Sequence, residues 1–130
     1  MIVLDASALV ELLLQGPHGA AVAEHSLQAN QRIHAPHLVD VELTQVLRRL
    51  VLNRSLSPAR AGSALSDLGA LSVERHPHLP LLARAFDLRD SMTAYDGVYV
   101  ALAEALDAPL LTCDARLKRS HGHHAKILLA

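Results

Sequence analysis

Two short apolar runs constrain the fold more than anything else in this chain. Ile2-Val3-Leu4 stops at Asp5, and Leu110-Leu111-Thr112 stops just before Asp114. Runs this short cannot sustain a helix. They suit strands of a parallel sheet, which are buried on both faces and read as continuous apolar stretches. The residues before the second run strengthen the reading. Tyr95, Val98, Tyr99, Leu102, Ala103 and Leu106 recur at the helical period, and Pro109 breaks the helix ahead of the strand. Thr93 is a candidate N-cap, with Asp96 three residues later in a capping-box-like pattern. A helix, a break, a buried strand and a carboxylate follow one another here as in a parallel crossover.

The rest of the chain repeats this alternation. Leu9, Leu12 and Leu13 predict a helix after Asp5, closed by Gly16-Pro17. A second helix is expected over Gly19 to Ala29, with Val22, Ala23 and Leu27 inward, and a strand over Arg32 to Ala35. Val39, Leu43, Val46, Leu47 and Leu50 mark a helix from Leu38 to about Asn53. Ser57-Pro58 opens another, running to about Leu71 on Ala61, Leu65 and Leu68. A strand over Leu71 to Arg75 precedes a helix from Leu79 to about Asp90 that buries Leu82, Ala83 and Phe86. Pro109 to Cys113 is a strand, Ala115 to Arg119 a helical turn, and Lys126 to Leu129 a last edge strand. The class is α/β, with a short parallel sheet of four or five strands flanked by helices.

Composition narrows the function. The 130 residues are enough for one core and too few for two, so residues 1–130 are expected to form a single domain. Aromatic residues are scarce at 2%, so the core must be built from Leu, Val and Ala. The net charge of −1 excludes a broad basic surface for nucleic acid, leaving only local patches. Cys113 is the sole cysteine and has no disulfide partner within the chain, which fits a reducing compartment. Nothing approaches the roughly 20 apolar residues of a membrane span, and Met1 to Asp5 lacks the basic start of a signal peptide. A cytoplasmic protein is expected.

Four carboxylates stand apart by position. Asp5 and Asp114 follow strands, at the sheet edge where open α/β proteins bind ligands. Each could equally be a helix N-cap. Glu42 lies between Leu38 and Val46 on the margin of a buried stripe, where a carboxylate must be paired, metal-bound or protonated. Asp96 sits in the first turn of its helix, where the macrodipole favours an anion and capping is the competing explanation. Gathered in one pocket, the four would repel one another and their pKa values would climb. A hard cation such as Mg²⁺ relieves that repulsion and completes its shell with water and phosphate oxygens. The matching chemistry is metal-assisted phosphodiester hydrolysis by an activated water. Ser7 and Thr112 flank the acids and could orient such a water, or could serve as a helix cap and a strand-packing residue.

In this order, Val3-Leu4-Asp5-Ala-Ser7-Ala8-Leu9, Pro36 with Val41-Glu42 and Val46-Leu47, Tyr95-Asp96-Gly-Val-Tyr-Val-Ala-Leu-Ala and Leu110-Leu111-Thr112-Cys113-Asp114 resemble the PIN-domain nucleases. More closely, they resemble the VapC-type toxins of bacterial toxin–antitoxin pairs. The resemblance covers nearly the whole chain and implies a PIN-like fold and a Mg²⁺-dependent endoribonuclease, with Mn²⁺ able to substitute. It carries catalytic and metal-binding roles onto Asp5, Glu42, Asp96 and Asp114, with Asp5 and Asp96 the principal ligands, and supporting roles onto Ser7 and Thr112. It also implies RNA as substrate, a cognate VapB-type antitoxin, and a homodimer.

Arg116, Lys118 and Arg119 follow Asp114 and are candidate RNA-phosphate contacts, and Arg48, Arg49 and Arg54 form a second basic group. Either group could instead be an ordinary solvated face or an antitoxin contact. His76-Pro-His78 and His121-Gly-His123-His124 lack a regular zinc spacing and read as solvated loops. Two other classes compete with the nuclease. A phosphatase of the haloacid-dehalogenase type wants a second acid two residues after Asp5, where Ser7 stands. A receiver-like domain wants a Lys after a late strand, and Lys118 and Lys126 sit awkwardly for it. A non-catalytic binding module would reduce every acid to a cap.

Overall fold

The structure, a computed structural model, describes residues 1–130. Five strands form one sheet in the order β3-β2-β1-β4-β5, with every neighbouring pair parallel. They are β1 (Ile2–Leu4), β2 (Ile33–Pro36), β3 (Val73–His76), β4 (Leu110–Thr112) and β5 (Ile127–Leu129). The helices are α1 (Ala6–Leu14), α2 (Gly19–Ser26), α3 (Leu38–Leu52), α4 (Pro58–Ala70), α5 (Leu82–Asp87), α6 (Ala94–Leu106) and α7 (Ala115–Lys118). No helix is long and apolar enough to cross a membrane.

The chain starts at the middle strand and builds outward to β2 and β3. It then returns to add β4 and β5 on the other side of β1. The order therefore reverses between β1 and β4, and a crevice opens beyond the carboxyl ends of strands at such a point. Val3 pairs with His34 on one side and with Leu110 on the other, while Leu4 pairs with Leu111. All of β1 and β4 is buried, as their apolar runs require. The core is aliphatic, and Tyr99 is its one aromatic residue.

α6 is more deeply buried than its amphipathic pattern suggested. Every residue from Gly97 to Ala103 is buried, and the helix lies against β1, β2 and β4. Tyr95, expected on the buried stripe, is 60% exposed. Gly97 allows the close approach of α5, since a Cβ there would meet Ala85 backbone and side-chain atoms at 3.1 Å. The helix ends at Leu106, with Asp107 in the left-handed region at φ 48°, before Pro109 can interfere.

Three segments differ from the sequence-based expectation. α2 stops at Ser26, so Leu27 is exposed instead of inward. In α4 the buried residues are Ala61, Ala64 and Leu68, and Leu65 faces out. The expected helix from Leu79 to Asp90 is a 3-10 turn at Leu79–Leu81 followed by the short α5. That turn shifts the helical phase, so Ala85 and Leu88 go inward while Leu82, Ala83 and Phe86 stay exposed. Arg89 covers the stranded Phe86 ring, its guanidinium 4.6 Å from the ring centre.

Candidate active site

Asp5 stands at the carboxyl end of β1 and is both a helix cap and a buried charge. Its Oδ1 accepts from the Ala8 amide at 3.0 Å, capping α1, and from the Ser7 hydroxyl at 2.6 Å. Its Oδ2 accepts from the Thr112 hydroxyl at 2.5 Å, across the β1–β4 pair. Burial pushes the Asp5 carboxyl above its usual pKa despite these donors, and the charge of Asp96 adds to the rise. Ser7 and Thr112 thus act on Asp5 itself. Ser7 also accepts from the Cys113 amide, and Thr112 from the Asp114 amide, each at 3.0 Å. The two hydroxyls tie the end of β1 to the end of β4.

Asp96 arrives on the first turn of α6. Thr93 caps that helix by accepting the Asp96 amide at 3.1 Å. Burial raises the Asp96 carboxyl, and Asp114 raises it further. Glu42, partly buried on α3, is raised by burial and by the charges of Asp96 and Asp5. Its Oε1 and the Tyr99 hydroxyl are both buried without a well-formed hydrogen bond, yet the two groups lie close enough for the phenol to pull the Glu42 carboxyl partly back down. Burial first, and then the Glu42 charge, keep that phenol protonated. Asp114 differs from the other three. Its carboxylate caps α7 through the Arg116 amide at 2.8 Å and pairs with the Arg116 guanidinium at 3.1 Å, which holds its pKa down.

Asp5, Glu42 and Asp96 therefore feel one another's charge near the β1–β4 reversal point, and Asp114 joins them through Asp96. Asp5 and Asp114 also fulfil their competing capping role. The partly buried Glu42 carboxylate, beside two further acids whose ionisation burial opposes, Asp5 and Asp96, is a donor set that suits a divalent cation. A cleft of about 200 Å³ opens beside Asp96, lined also by Thr93, Arg116 and Ser120. Glu42 borders a groove of about 470 Å³ that includes Arg49 and Tyr95. The largest cavity, about 680 Å³, lies away from the acids between α1, α2 and α4, and Asp67 is its one charged lining residue.

The basic residues separate on inspection. Arg116 neutralises Asp114, Lys118 donates to the Ile127 carbonyl at 2.6 Å, and Arg119 is exposed. Of the histidines near the C-terminus, His121 and His124 are exposed in a loop as expected, though His124 meets Glu104 at 3.3 Å, and the half-buried His123 meets the Ser120 hydroxyl at 2.9 Å. Sequence reasoning took Tyr99 for core packing alone. Its place one turn beyond Asp96, together with the need of a buried phenol for a partner, was the available signal. Cys113 has its thiol pushed up to about 11 by burial, so it stays neutral as a packing residue would.

Fold and site together define an open α/β protein that collects carboxylates where its strand order reverses. The PIN domain model matches residues 2–121, and the chain belongs to the PIN-domain family. It is 46% identical to Ribonuclease VapC12 of Mycobacterium tuberculosis over 129 residues, covering 99% of this chain and 98% of that relative. It is 42% identical to Ribonuclease VapC1 of the same organism, covering 98% and 96%. Among solved structures it resembles Mycobacterium tuberculosis VapC20, a sarcin–ricin loop cleaving toxin, at a TM-score of 0.70 and 14% identity, covering 95% of this chain and 97% of that one. It also resembles VapBC2 from Rickettsia felis, solved with a DNA fragment from the promoter, at a TM-score of 0.68 and 19% identity, covering 98% of each.

Proposed function

We propose that this chain is an endoribonuclease that acts as the toxin of a toxin–antitoxin pair. Asp5, Glu42, Asp96 and Asp114 hold Mg²⁺ between them, with Mn²⁺ as a substitute. The observation that carries this reading is the gathering of Asp5, Glu42 and Asp96, each raised by burial and further by a neighbouring acid, with Asp114 beside Asp96. The ribonuclease names of relatives at 46% and 42% identity over nearly the full chain support the substrate class.

When bound, the cation supplies positive charge beside the phosphate and lowers the pKa of the attacking water. The protein's own contributions are positional. Ser7 and Thr112 fix the Asp5 carboxylate at the end of β1 by one hydrogen bond to each of its oxygens. Arg116 lines the Asp96 cleft and offers the RNA phosphate a cation once it is released from Asp114. Arg119 and Arg49 extend the positive surface outward. Lys118 is exposed next to Arg119 and donates to the Ile127 carbonyl.

Residues 1–130 would act as one catalytic domain in the cytoplasm, paired as a homodimer and restrained by a small antitoxin of the VapB type. The toxin–antitoxin complex among its structural relatives supports that partner. The test is RNA cleavage by purified protein with Mg²⁺ or Mn²⁺. Asp5→Asn and Asp96→Asn should each abolish cleavage while circular dichroism stays unchanged. Protein that cuts no RNA with Mn²⁺ but hydrolyses a phosphomonoester would overturn the nuclease reading.

A further inference from the structure

We propose that His34, Glu74 and His76 form a second metal site, for a divalent transition ion of the zinc class, on the β2–β3 side of the sheet. Parallel pairing sets His34 of β2 opposite Glu74 of β3, and His76 follows two residues along the same strand. Side chains two apart share a face of a strand, so all three project together. His34 Nδ1 lies 2.9 Å from His76 Nε2 and 3.6 Å from a Glu74 carboxylate oxygen. The three ligand atoms all fall within 4.8 Å of one another.

A tetrahedral zinc with bonds of about 2.0–2.1 Å places its ligand atoms roughly 3.3 Å apart. The His–His pair needs only a few tenths of an ångström to open to that spacing. The donor set also selects the metal. Two imidazoles and one carboxylate favour zinc-like ions, whereas Mg²⁺ prefers oxygen throughout. Three protein ligands leave a fourth position, and the exposure of Glu74, at 55%, lets water fill it. His34 is almost wholly buried, and burial outweighs the pull of Glu74 in keeping its ring neutral, the form that binds metal.

One detail tempers the affinity. A metal on Nδ1 leaves the proton on His34 Nε2, and that atom is buried with no partner. Outer hydrogen bonds of this kind are worth about 10–100-fold in affinity. A reversible site is expected, weaker than a structural zinc centre by about that factor. His78, two residues beyond His76, is exposed and takes no part.

The test titrates the full chain with Zn²⁺ by calorimetry in excess Mg²⁺, which occupies the carboxylates. One equivalent should bind and raise the melting temperature. His76→Ala and Glu74→Gln change partly exposed residues, so folding should persist and can be verified by circular dichroism. Each should weaken Zn²⁺ binding at least tenfold while leaving Mg²⁺-dependent RNA cleavage unchanged. Absence of saturable Zn²⁺ binding would overturn the site, as would equal affinity in both variants. Loss of binding in Asp96→Asn or His124→Ala instead would place the ion elsewhere and overturn it equally. Because the readout is binding, the outcome does not depend on whether the chain cleaves RNA.

Discussion

Thr112, wholly buried at the end of β4, donates a 2.5 Å hydrogen bond to Asp5 at the end of β1. This bond crosses the point where the strand order reverses, so one side chain serves both the sheet and the site. Thr112→Val keeps the shape and removes the donor. It should cost about 1–3 kcal/mol, because the Asp5 carboxylate and the Asp114 amide each lose a partner. The Asp5 pKa should rise further, moving the acid limb of any pH–cleavage profile to higher pH. Thr112→Ser should restore most of both.

The three raised carboxyls carry a sign that can be checked. Asp5, Glu42 and Asp96 all ionise later in the folded chain than in the unfolded one. Their contribution to stability is therefore complete below the ordinary carboxylate range and is lost as pH rises through the raised values. Asp96→Asn removes one of them. Without metal it should match wild type in acid and exceed it in stability at neutral pH. Adding Mn²⁺ should raise the melting temperature of wild type and not of the variant.

Glu104 has the opposite sign. Its side chain is 7% exposed and accepts from Arg84 at 2.8 and 3.0 Å and from the His124 amide at 3.1 Å. The Arg84 guanidinium, first among these, holds its carboxyl below the usual range. This stability is present above the unfolded carboxylate pKa and is lost as pH falls through the depressed value. Arg84→Ala should cost about 1–3 kcal/mol, discounted because Arg84 is 36% exposed. Urea titrations at neutral and acid pH should show the gap to wild type closing in acid.

Glycine substitutions should divide by location. Gly62→Ala and Gly69→Ala meet nothing within 4 Å on α4 and should stabilise by about 0.5–1 kcal/mol. Gly97→Ala would press on Ala85 Cα and carbonyl oxygen at 3.1 Å, atoms that can yield only if α5 moves. The strain should exceed the gain in helix propensity, for a net loss of about 1 kcal/mol. Thermal melts of the three variants decide it.

Much of the architecture was legible because parallel strands leave a strong mark. Ile2-Val3-Leu4 and Leu110-Leu111 are apolar on both faces, and a doubly covered sheet accepts such runs. Asp5 and Asp114 were legible through their place at strand ends. α5 was not, because a 3-10 turn at Leu79–Leu81 shifts the phase and helical periodicity cannot foresee a turn of different pitch. The roles of Ser7 and Thr112 were half legible. Their types and places were suggestive, and Ser7 reaches Asp5 locally from two residues on, but the Thr112 bond to Asp5 depends on β4 lying beside β1, 107 residues away in sequence. The juxtaposition of His34 with His76 had no local signal at all, since it arises from strand register.

The burial of α6 divides the candidate site by stiffness. Amides from Gly97 to Ala103 lie in the centre of the molecule and should exchange with solvent only on global unfolding. Asp96 is carried on the end of that element, and Asp5 is locked by three donors. The anionic half is thus set in advance at almost no further ordering cost. Arg116 is the reverse, with its side chain 86% exposed and anchored only at the tip. A ligand entering the cleft would find fixed carboxylates and one swinging cation, so its on-rate should vary with ionic strength more than its bound geometry does.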